Sequence, residues 1–481
     1  MPALGGYRMT ALQQVQHDNT PSGAQDLGTR LRALLAKYDS AAPRYTSYPP
    51  IPYWGSLDGT AVAGWLAEPR EADDTSLSLY THIPFCRNRC HYCGCFVVIT
   101  PHQEPAERYL GAVHREMEMV AARLGPGRPV RQYHLGGGTP NFISREAMER
   151  LVRHARELFH FEDDVEMSIE VDPRHLSPAE LKHLRALGFN RLSLGIQDFD
   201  EEVQAGVNRV EPYEHVRMLV AAAREEGFAG INFDLIYGLP HQNRERFRRT
   251  VERVLTLAPD RLALYNFAYL PQAFPHQRKM DAEALPDSEE KLAIFLTARD
   301  LFLANGYQAI GLDHFAREDD ELARAYRAGT MRRNFMGYTT QAGTDLLAFG
   351  VSGISEYNGR YWQNEKKLVG YERTVEAGEI PVIRGLLLDA EDRLRQAVVA
   401  DLFCQGVVDF AALGARFGMD VRGHFAQELG LLEPLHADGL IELSDSQLVV
   451  TELGQFFLRN IAVVFDNRTR QGAPVKFSRT V

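Results

Sequence analysis

From about residue 76 the chain alternates short β-rich runs with stretches of helical period. The runs are Leu77–His82, Gln132–Leu135, Val165–Val171, Arg191–Ile196, Ile231–Ile236 and Arg261–Phe267. Each is closed by glycines or polar residues, as strands are. After the first run, Leu110, Val113, Met117, Val120 and Leu124 recur at i, i+3, i+7, i+10 and i+14. That spacing predicts a helix with one buried face. Ser177 and Glu180 stand at capping-box spacing, and Gly188 marks the end of the helix they open. A last helix over 288–305 precedes a run at Tyr307–Leu312. Six strand–helix units in succession predict a parallel α/β architecture. Periodicity does not choose between a barrel and an open doubly wound sheet.

The run Val165–Val171 says more. Val165, Met167, Ile169 and Val171 point one way, and Glu166, Ser168 and Glu170 the other. Strands of a parallel sheet are normally apolar on both faces. Carboxylates on one face therefore predict a polar lumen near the C-terminal end of the strand.

The flanks follow other patterns. Residues 1–35 read as a flexible N-terminal extension, with order expected from near Leu31. Residues 36–75, with the aromatic segment Pro43–Pro49, read as an ordered coil packed on the α/β body at 76–360. Residues 361–481 form a second unit, expected to cover the substrate. Within it, helices over about 391–430 and a hairpin, Leu440–Leu443 to Leu448–Thr451, resemble a winged helix. Residues 391–450 hold four arginines and no lysine against ten carboxylates, a net charge of −6. Such a surface is poorly suited to phosphates, so a structural or substrate-covering lid is expected there.

The whole chain is also acidic, 53 basic against 64 acidic residues, or −11. Nucleic acid is not an expected partner. No run of about 18 apolar residues predicts a membrane span. The N-terminus lacks a secretory pattern, so a cytoplasmic protein is expected.

Four of the five cysteines lie within ten residues, in Cys86-Arg-Asn-Arg-Cys90-His-Tyr-Cys93-Gly-Cys95. A disulfide framework has no such crowding, whereas a metal or cluster site in a reducing compartment does. Thiolates are soft ligands. Two readings remain open. Three of the thiolates can hold an iron–sulfur cubane with one open iron, or a tetrahedral zinc can sit here with His91 or Cys95 as a ligand. Zinc modules usually join two short knuckles far apart in sequence, and here all four thiols share one loop. Cys404, in an apolar helical context, reads as core.

A Cys-x₃-Cys-x₂-Cys loop after the first strand of such an array resembles the radical S-adenosylmethionine (SAM) superfamily. Further segments resemble one family within it, the oxygen-independent coproporphyrinogen III oxidases. They are Cys95 itself, His134–Pro140, Glu170–Pro173, Gly195–Phe199, Val207–Arg209, Asp234–Pro240, Pro43–Pro49, His314–Arg317, Arg333–Gln341 and Phe477–Arg479. The likeness runs from about residue 36 to 481. It implies a partial (β/α)₆ TIM-like barrel of the radical SAM type. It also implies an N-terminal extension and a mostly helical, winged-helix-like C-terminal domain.

The resemblance further implies a set of roles. Cys86, Cys90 and Cys93 would hold a [4Fe–4S] cluster whose open iron binds SAM. One electron from the cluster would cleave SAM to an adenosyl radical, which would take hydrogen from a propionate of coproporphyrinogen III. Two propionates would become vinyl groups with loss of carbon dioxide, giving protoporphyrinogen IX in anaerobic haem biosynthesis. Tyr80, Tyr92, Gly137 and Glu170 match positions around SAM. Gly138, Thr139, Gln197, Arg209 and Asp234 match positions around a second SAM, and Ala268 and Ile354 are small or apolar matches that shape the pocket. Cys95 belongs to the pattern without being a ligand, and with Tyr80 it is a candidate catalytic residue. Alone, each has a plainer reading: a tight turn for the glycines, a surface ion pair for Arg209, core for the tyrosines. Anionic propionates call for guanidinium donors, with Arg44, Arg317, Arg332, Arg333 and Arg479 as candidates. A flavodoxin- or ferredoxin-like electron donor, a separate electron acceptor and a monomeric state complete the expectation. The alternatives are a haem-trafficking relative without decarboxylase activity and a zinc-stabilised interaction protein. Such relatives usually lack both Cys95 and the Pro43–Pro49 head, which are present here.

Overall fold

The computed structural model describes residues 21–38, 40–68, 76–472 and 477. Its centre is six parallel strands in chain order: β1 Leu77–Ile83, β2 Pro129–Gly137, β3 His160–Val171, β4 Arg191–Gln197, β5 Gly230–Tyr237 and β6 Arg261–Asn266. On the far side of β1 a seventh strand, β7 Asp345–Phe349, also runs parallel to it. Antiparallel strands extend the sheet beyond both β7 and β6, to thirteen among the described residues. The two edge strands do not pair with each other, so the sheet is a partial barrel rather than a closed one.

Local signals set the elements. The helix Glu104–Leu124 buries Leu110, Val113, Met117 and Val120 as the period predicts. Ser177 caps Pro178–Ala186, its hydroxyl donating to Glu180 Oε2 at 2.7 Å and accepting the Glu180 N–H. In β3 the side chains of Val165, Met167, Ile169 and Val171 are buried in the core. The opposite face carries Glu166, which pairs with Arg191 at 3.1 Å, and Glu170. The polar lumen predicted from the alternation is present.

Three expectations change. Helix Pro21–Tyr38 begins ten residues before Leu31, so the extension is ordered over part of its length; residues 1–20 lie outside the described residues. Strands Arg360–Asn364 and Val382–Leu387 pair within the large sheet, so it runs on past the expected boundary at residue 361. The segment expected to pack on the barrel divides its contacts. Tyr45 and Tyr48 enter the core of the C-terminal helices, with Tyr45 Oη donating to Asp466 at 2.9 Å. Val62 and Leu66 join the core of the large sheet. The C-terminal unit opens with the helix Ala390–Gln405. It contains a three-stranded sheet in which Gln447–Val450 lies between Val407–Asp409 and Ile441–Leu443. No described helix is long and apolar enough to cross a membrane.

Candidate active site

The cysteine loop leaves β1 at its C-terminal end and is clamped where it starts and finishes. Phe85–Cys86 pairs in parallel with Val98–Ile99. Phe85 is fully buried and stacks on Phe142. Other elements hold the loop between these points. His91 N–H donates to Val207 O at 2.9 Å, Asn208 Nδ2 to Arg89 O at 3.0 Å and His276 Nε2 to Cys93 O at 2.7 Å.

Each sulfur of the triplet has a polar neighbour. Thr139 Oγ1 lies 3.2 Å from Cys86 Sγ. Arg209 Nη1 and Arg174 Nη2 donate to Cys90 Sγ at 3.5 and 3.6 Å. Cys95 hydrogen-bonds the Cys93 sulfur and lowers its pKa to about 6, whereas burial pushes the Cys86 thiol up to about 11. The arginines are tied to Asp172: Arg174 at 2.6 Å and Arg209 at 3.3 Å. Burial would raise the Asp172 pKa, but the two guanidiniums outweigh it and hold the carboxyl at about 2.

Two guanidiniums, Arg209 buried and Arg174 half-buried, aimed at one sulfur suit an anionic, sulfur-ligated group better than a neutral thiol. A zinc ion about 2.3 Å from each sulfur would need its ligands to converge on one point. Among the described residues no three His, Cys, Asp or Glu side chains do so. A cubane binds each thiolate through a different iron, so it requires no such convergence. The residues present fit the cluster.

A glycine segment comes next to the sulfurs. A Cβ on Gly138 would stand 2.7 Å from the Pro84 backbone and 3.1 Å from Cys86 Sγ. Gly137 has φ +120°, which side-chain-bearing residues rarely adopt, and a Cβ there would meet the His82 ring at 2.6 Å. The Gly137 N–H donates to Glu170 Oε2 at 3.0 Å, while His134 Nε2 donates to Glu170 Oε1 at 3.2 Å. Burial disfavours the ionised form of Glu170; His134 and Gly137 reverse that effect and lower its pKa.

These groups open onto a cavity of about 480 Å³. Tyr80, His134 and Glu170 line it from β1, β2 and β3, Leu346 from β7, and Ile354 and Gln363 from the strands beyond. Gly94 and Phe96 bring in the cysteine loop, and Cys95 between them is exposed. The Tyr80 ring stacks on His134 at 5.7 Å, and its hydroxyl lies 3.0 Å from His82 Nδ1. Because His82 Nε2 faces the Phe96 carbonyl at 3.4 Å and must donate there, Nδ1 accepts the tyrosine proton. Burial lowers the His82 pKa to about 4.

The structure thus gathers Tyr80, Cys95, Gly137, Gly138, Thr139, Glu170 and Ile354 about the cysteine loop and cavity. Gln197 ends β4 and Asp234 lies in the middle of β5. Gln197 Oε1 is buried without a partner, and Asp234 accepts from Ser193 Oγ at 3.0 Å and Asn232 Nδ2 at 2.9 Å. Two expected residues lie off the cavity wall. Tyr92 stays beside the cysteine loop, next to Cys90 and Arg209, with its ring packed against Phe267 and Met280, and Ala268 does not line the cavity, its carbonyl accepting from Gln277 Nε2. Arg209 directs its donors at Gly195 O, Asp172 and Cys90. Of the propionate candidates, Arg333 donates to the Arg44 and Tyr45 carbonyls and Arg332 to that of Met331. Arg44 donates to Asn266 O, Arg317 pairs with Asp319, and Arg479 lies outside the described residues. Sequence reasoning missed His82, His134, Arg174 and Lys366 as site residues. The alternation of β2, which sets His134 beside Glu170, was the available signal for one of them.

An open parallel α/β array with a three-cysteine loop at its strand ends defines a radical SAM enzyme. The Radical SAM superfamily model matches residues 80–254, and the HemN C-terminal domain model matches residues 388–457. The chain is 44% identical to the oxygen-independent coproporphyrinogen III oxidases of Salmonella typhimurium and Escherichia coli. Each alignment spans 450 residues, 93% of this chain and 98% of the relative. The solved structure of the Escherichia coli coproporphyrinogen III oxidase, HemN, described as a radical SAM enzyme, superposes with a TM-score of 0.85 at 43% identity. That superposition covers 88% of this chain and 97% of that one. The chain belongs to the family of oxygen-independent coproporphyrinogen III oxidases.

Proposed function

We propose that this chain converts two propionates of coproporphyrinogen III to vinyl groups, with Cys86, Cys90 and Cys93 holding a [4Fe–4S] cluster. The observation that supports this most is the cysteine loop, whose sulfurs meet buried donors and whose tip borders a large cavity. When bound, the cluster and SAM supply one-electron cleavage of the sulfonium and abstraction of a hydrogen atom from the substrate.

The chain's own residues position and shield. Arg209 and Arg174 favour negative charge on the Cys90 sulfur, and Thr139 contacts the Cys86 sulfur. Glu170, fixed by His134 and the Gly137 N–H, keeps free lone pairs on both oxygens and accepts from the ammonium or ribose of SAM. Gly137 and Gly138 let the backbone approach that ligand. Ile354 lines the same cavity as Tyr80 and Glu170, and Gln197 and Asp234, on the next strands, are assigned to another SAM; Gln197 Oε1 has an unused acceptor to offer it. Phe96, Phe335, Met336, Leu346 and Ile354 make an apolar wall that keeps water from the reacting carbon. Tyr80, half-buried beside Glu170 and Cys95, has a pKa raised far above its ordinary value and stays protonated, orienting its ring on His134.

For each propionate the balance is simple. The –CH₂–CH₂–COO⁻ chain loses one hydrogen atom from the carbon β to the carboxylate, then carbon dioxide and one electron, leaving –CH=CH₂. The electron passes to an external acceptor, and a flavodoxin- or ferredoxin-like protein supplies the reducing electron. We assign a monomer acting in the cytoplasm. The test is anaerobic reconstitution followed by SAM, reductant and coproporphyrinogen III. A product with two vinyl groups is expected. SAM cleavage with an unchanged porphyrinogen would overturn the reading.

A further inference from the structure

Of the arginines that the sequence nominates for propionate recognition, Arg44, Arg332 and Arg333 donate to backbone carbonyls and Arg317 pairs with Asp319. The cavity has another cation. Lys366 lines it, at its exposed rim. Arg384 stands nearby on Val382–Leu387, directly opposite Gln363 of the neighbouring strand. Gln363 in turn lies opposite Ile354. Directly opposed residues of antiparallel strands project from the same face of the sheet. Ile354 and Gln363 both line the cavity, so Arg384 is placed on that face, one strand further out.

Three observations indicate what this row binds. Neither Lys366 nor Arg384 forms a hydrogen bond or ion pair among the described residues. Glu365, the carboxylate adjacent in sequence to Lys366, accepts the Lys367 N–H at 2.9 Å. Arg384 is near enough to Lys366 to lower its pKa, an effect second to burial. The Glu365 carboxylate opposes that effect only in part and, among the described residues, forms no ion pair with either cation, so two like charges beside a cavity suit an anion. Between them and the reactive end, the buried Gln363 leaves Oε1 without a donor, while its Nε2 is occupied by Ser352 O at 3.4 Å. Read across the three strands, the row offers an apolar surface, an acceptor and a pair of cations.

We propose that Lys366 and Arg384 form a carboxylate subsite that anchors one propionate of the tetrapyrrole, with Gln363 accepting a pyrrole N–H. This rests on the proposed function and names the residues that set substrate orientation within it. The anchored propionate lies at the rim, away from Tyr80 and Glu170, so a different propionate is presented to the cysteine loop. The pair is a specificity device, and substrates lacking the distal carboxylate should bind poorly.

The test uses the full chain and two probes, coproporphyrin III and its tetramethyl ester, titrated by absorbance. Wild type should bind the acid more tightly than the ester, and added salt should weaken only the acid, because the contact lies near solvent. In the Lys366→Met, Arg384→Met double variant the acid should bind about tenfold or more weakly, the scale of a lost charge-assisted hydrogen bond. Lys366→Arg should restore part of the affinity, which a general packing defect would not allow. In turnover with coproporphyrinogen III, the double variant should raise KM more than it lowers kcat. Equal binding of acid and ester by wild type, or an unchanged acid affinity in the double variant, overturns the subsite while wild-type turnover leaves the parent reading intact. Wild type that converts no porphyrinogen overturns both.

Discussion

Arg209 Nη1 lies 3.5 Å from Cys90 Sγ and 3.3 Å from Asp172 Oδ2, so one buried guanidinium links a thiol of the cysteine loop to a carboxylate just past β3. The arrangement explains why a charge is tolerated there. Burial disfavours the Arg209 cation, but Tyr92, Asp172 and Cys90 overcompensate and raise its pKa. Replacing Arg209 with Met leaves Asp172 with Arg174 as its remaining partner and removes one donor from the sulfur. Breaking such a buried pair costs about 3–5 kcal/mol. Iron content after reconstitution and the thermal midpoint should both fall. Arg209→Lys, which keeps the charge, should lose less of each. Equal iron retention in the two variants would show that the charge does not support the cluster.

The Gly138 position makes a steric prediction. A methyl group there must displace the Pro84 backbone or move the Cys86 sulfur. Overpacking of this kind costs about 1–3 kcal/mol. The Gly138→Ala protein should therefore melt lower and incorporate less iron, because the distortion falls on a cysteine of the triplet. Gly111→Ala, with open space at its Cβ inside the helix Glu104–Leu124, is the control and should keep wild-type iron content while melting no lower. Iron content unchanged by Gly138→Ala would refute the close approach.

Cys95 separates ligation from support. Its thiol hydrogen-bonds Cys93, and the same contact raises the Cys95 pKa well above normal. Serine preserves a donor and alanine does not. Cys95→Ser should hold its iron against a chelator as wild type does. Cys95→Ala should release iron about tenfold faster, the scale of a hydrogen bond to a charged acceptor. Cys93→Ser should fail to hold a full cluster at all. If Cys95→Ser behaves like Cys93→Ser, Cys95 is itself a ligand.

Much of this site is legible in the sequence, and what is not has physical causes. The barrel strands announced themselves because each is followed by a helix with its own period. The polar face of β3 was readable because Glu166 and Glu170 break the apolar rule for parallel strands. The antiparallel strands after β7 escaped notice. They are four to six residues long, too short for a period to stand out. Missing them hid the wall that carries Ile354, Gln363 and Arg384. His134 was seen as part of a motif, not as the ring stacked on Tyr80, because stacking depends on the register of β1 against β2. Sequence shows the propionate candidates as cations but not the carbonyls that Arg44, Arg332 and Arg333 meet, so it does not choose among them.

Glu116 connects the cavity wall to pH. It is buried on the helix Glu104–Leu124 and accepts from Tyr371 Oη at 2.6 Å, Gly350 N–H at 2.7 Å and Asn364 Nδ2 at 2.6 Å. Through Gly350 it fixes the turn that leads to Ser352, Gly353 and Ile354 on the cavity. Burial raises its pKa to about 7, and the three donors only partly offset that rise. The sign follows from linkage. Below the ordinary carboxyl value of 4.5 both folded and unfolded chains hold the proton, and the full contribution to stability is present. Between 4.5 and about 7 the unfolded chain has released the proton while the folded chain keeps it, so stability falls as pH rises. Across that window the loss is on the order of 3 kcal/mol, and above it the curve is flat again. Glu116→Gln cannot titrate. Its single acceptor oxygen serves three donors poorly, so the variant should be less stable at pH 5. The difference from wild type should then shrink or reverse by pH 8. Denaturant unfolding of both proteins at the two pH values measures that difference. A constant difference would mean that the carboxylate ionises in the fold as freely as in water, and that the turn at Gly350 is not held by a protonated, buried acid.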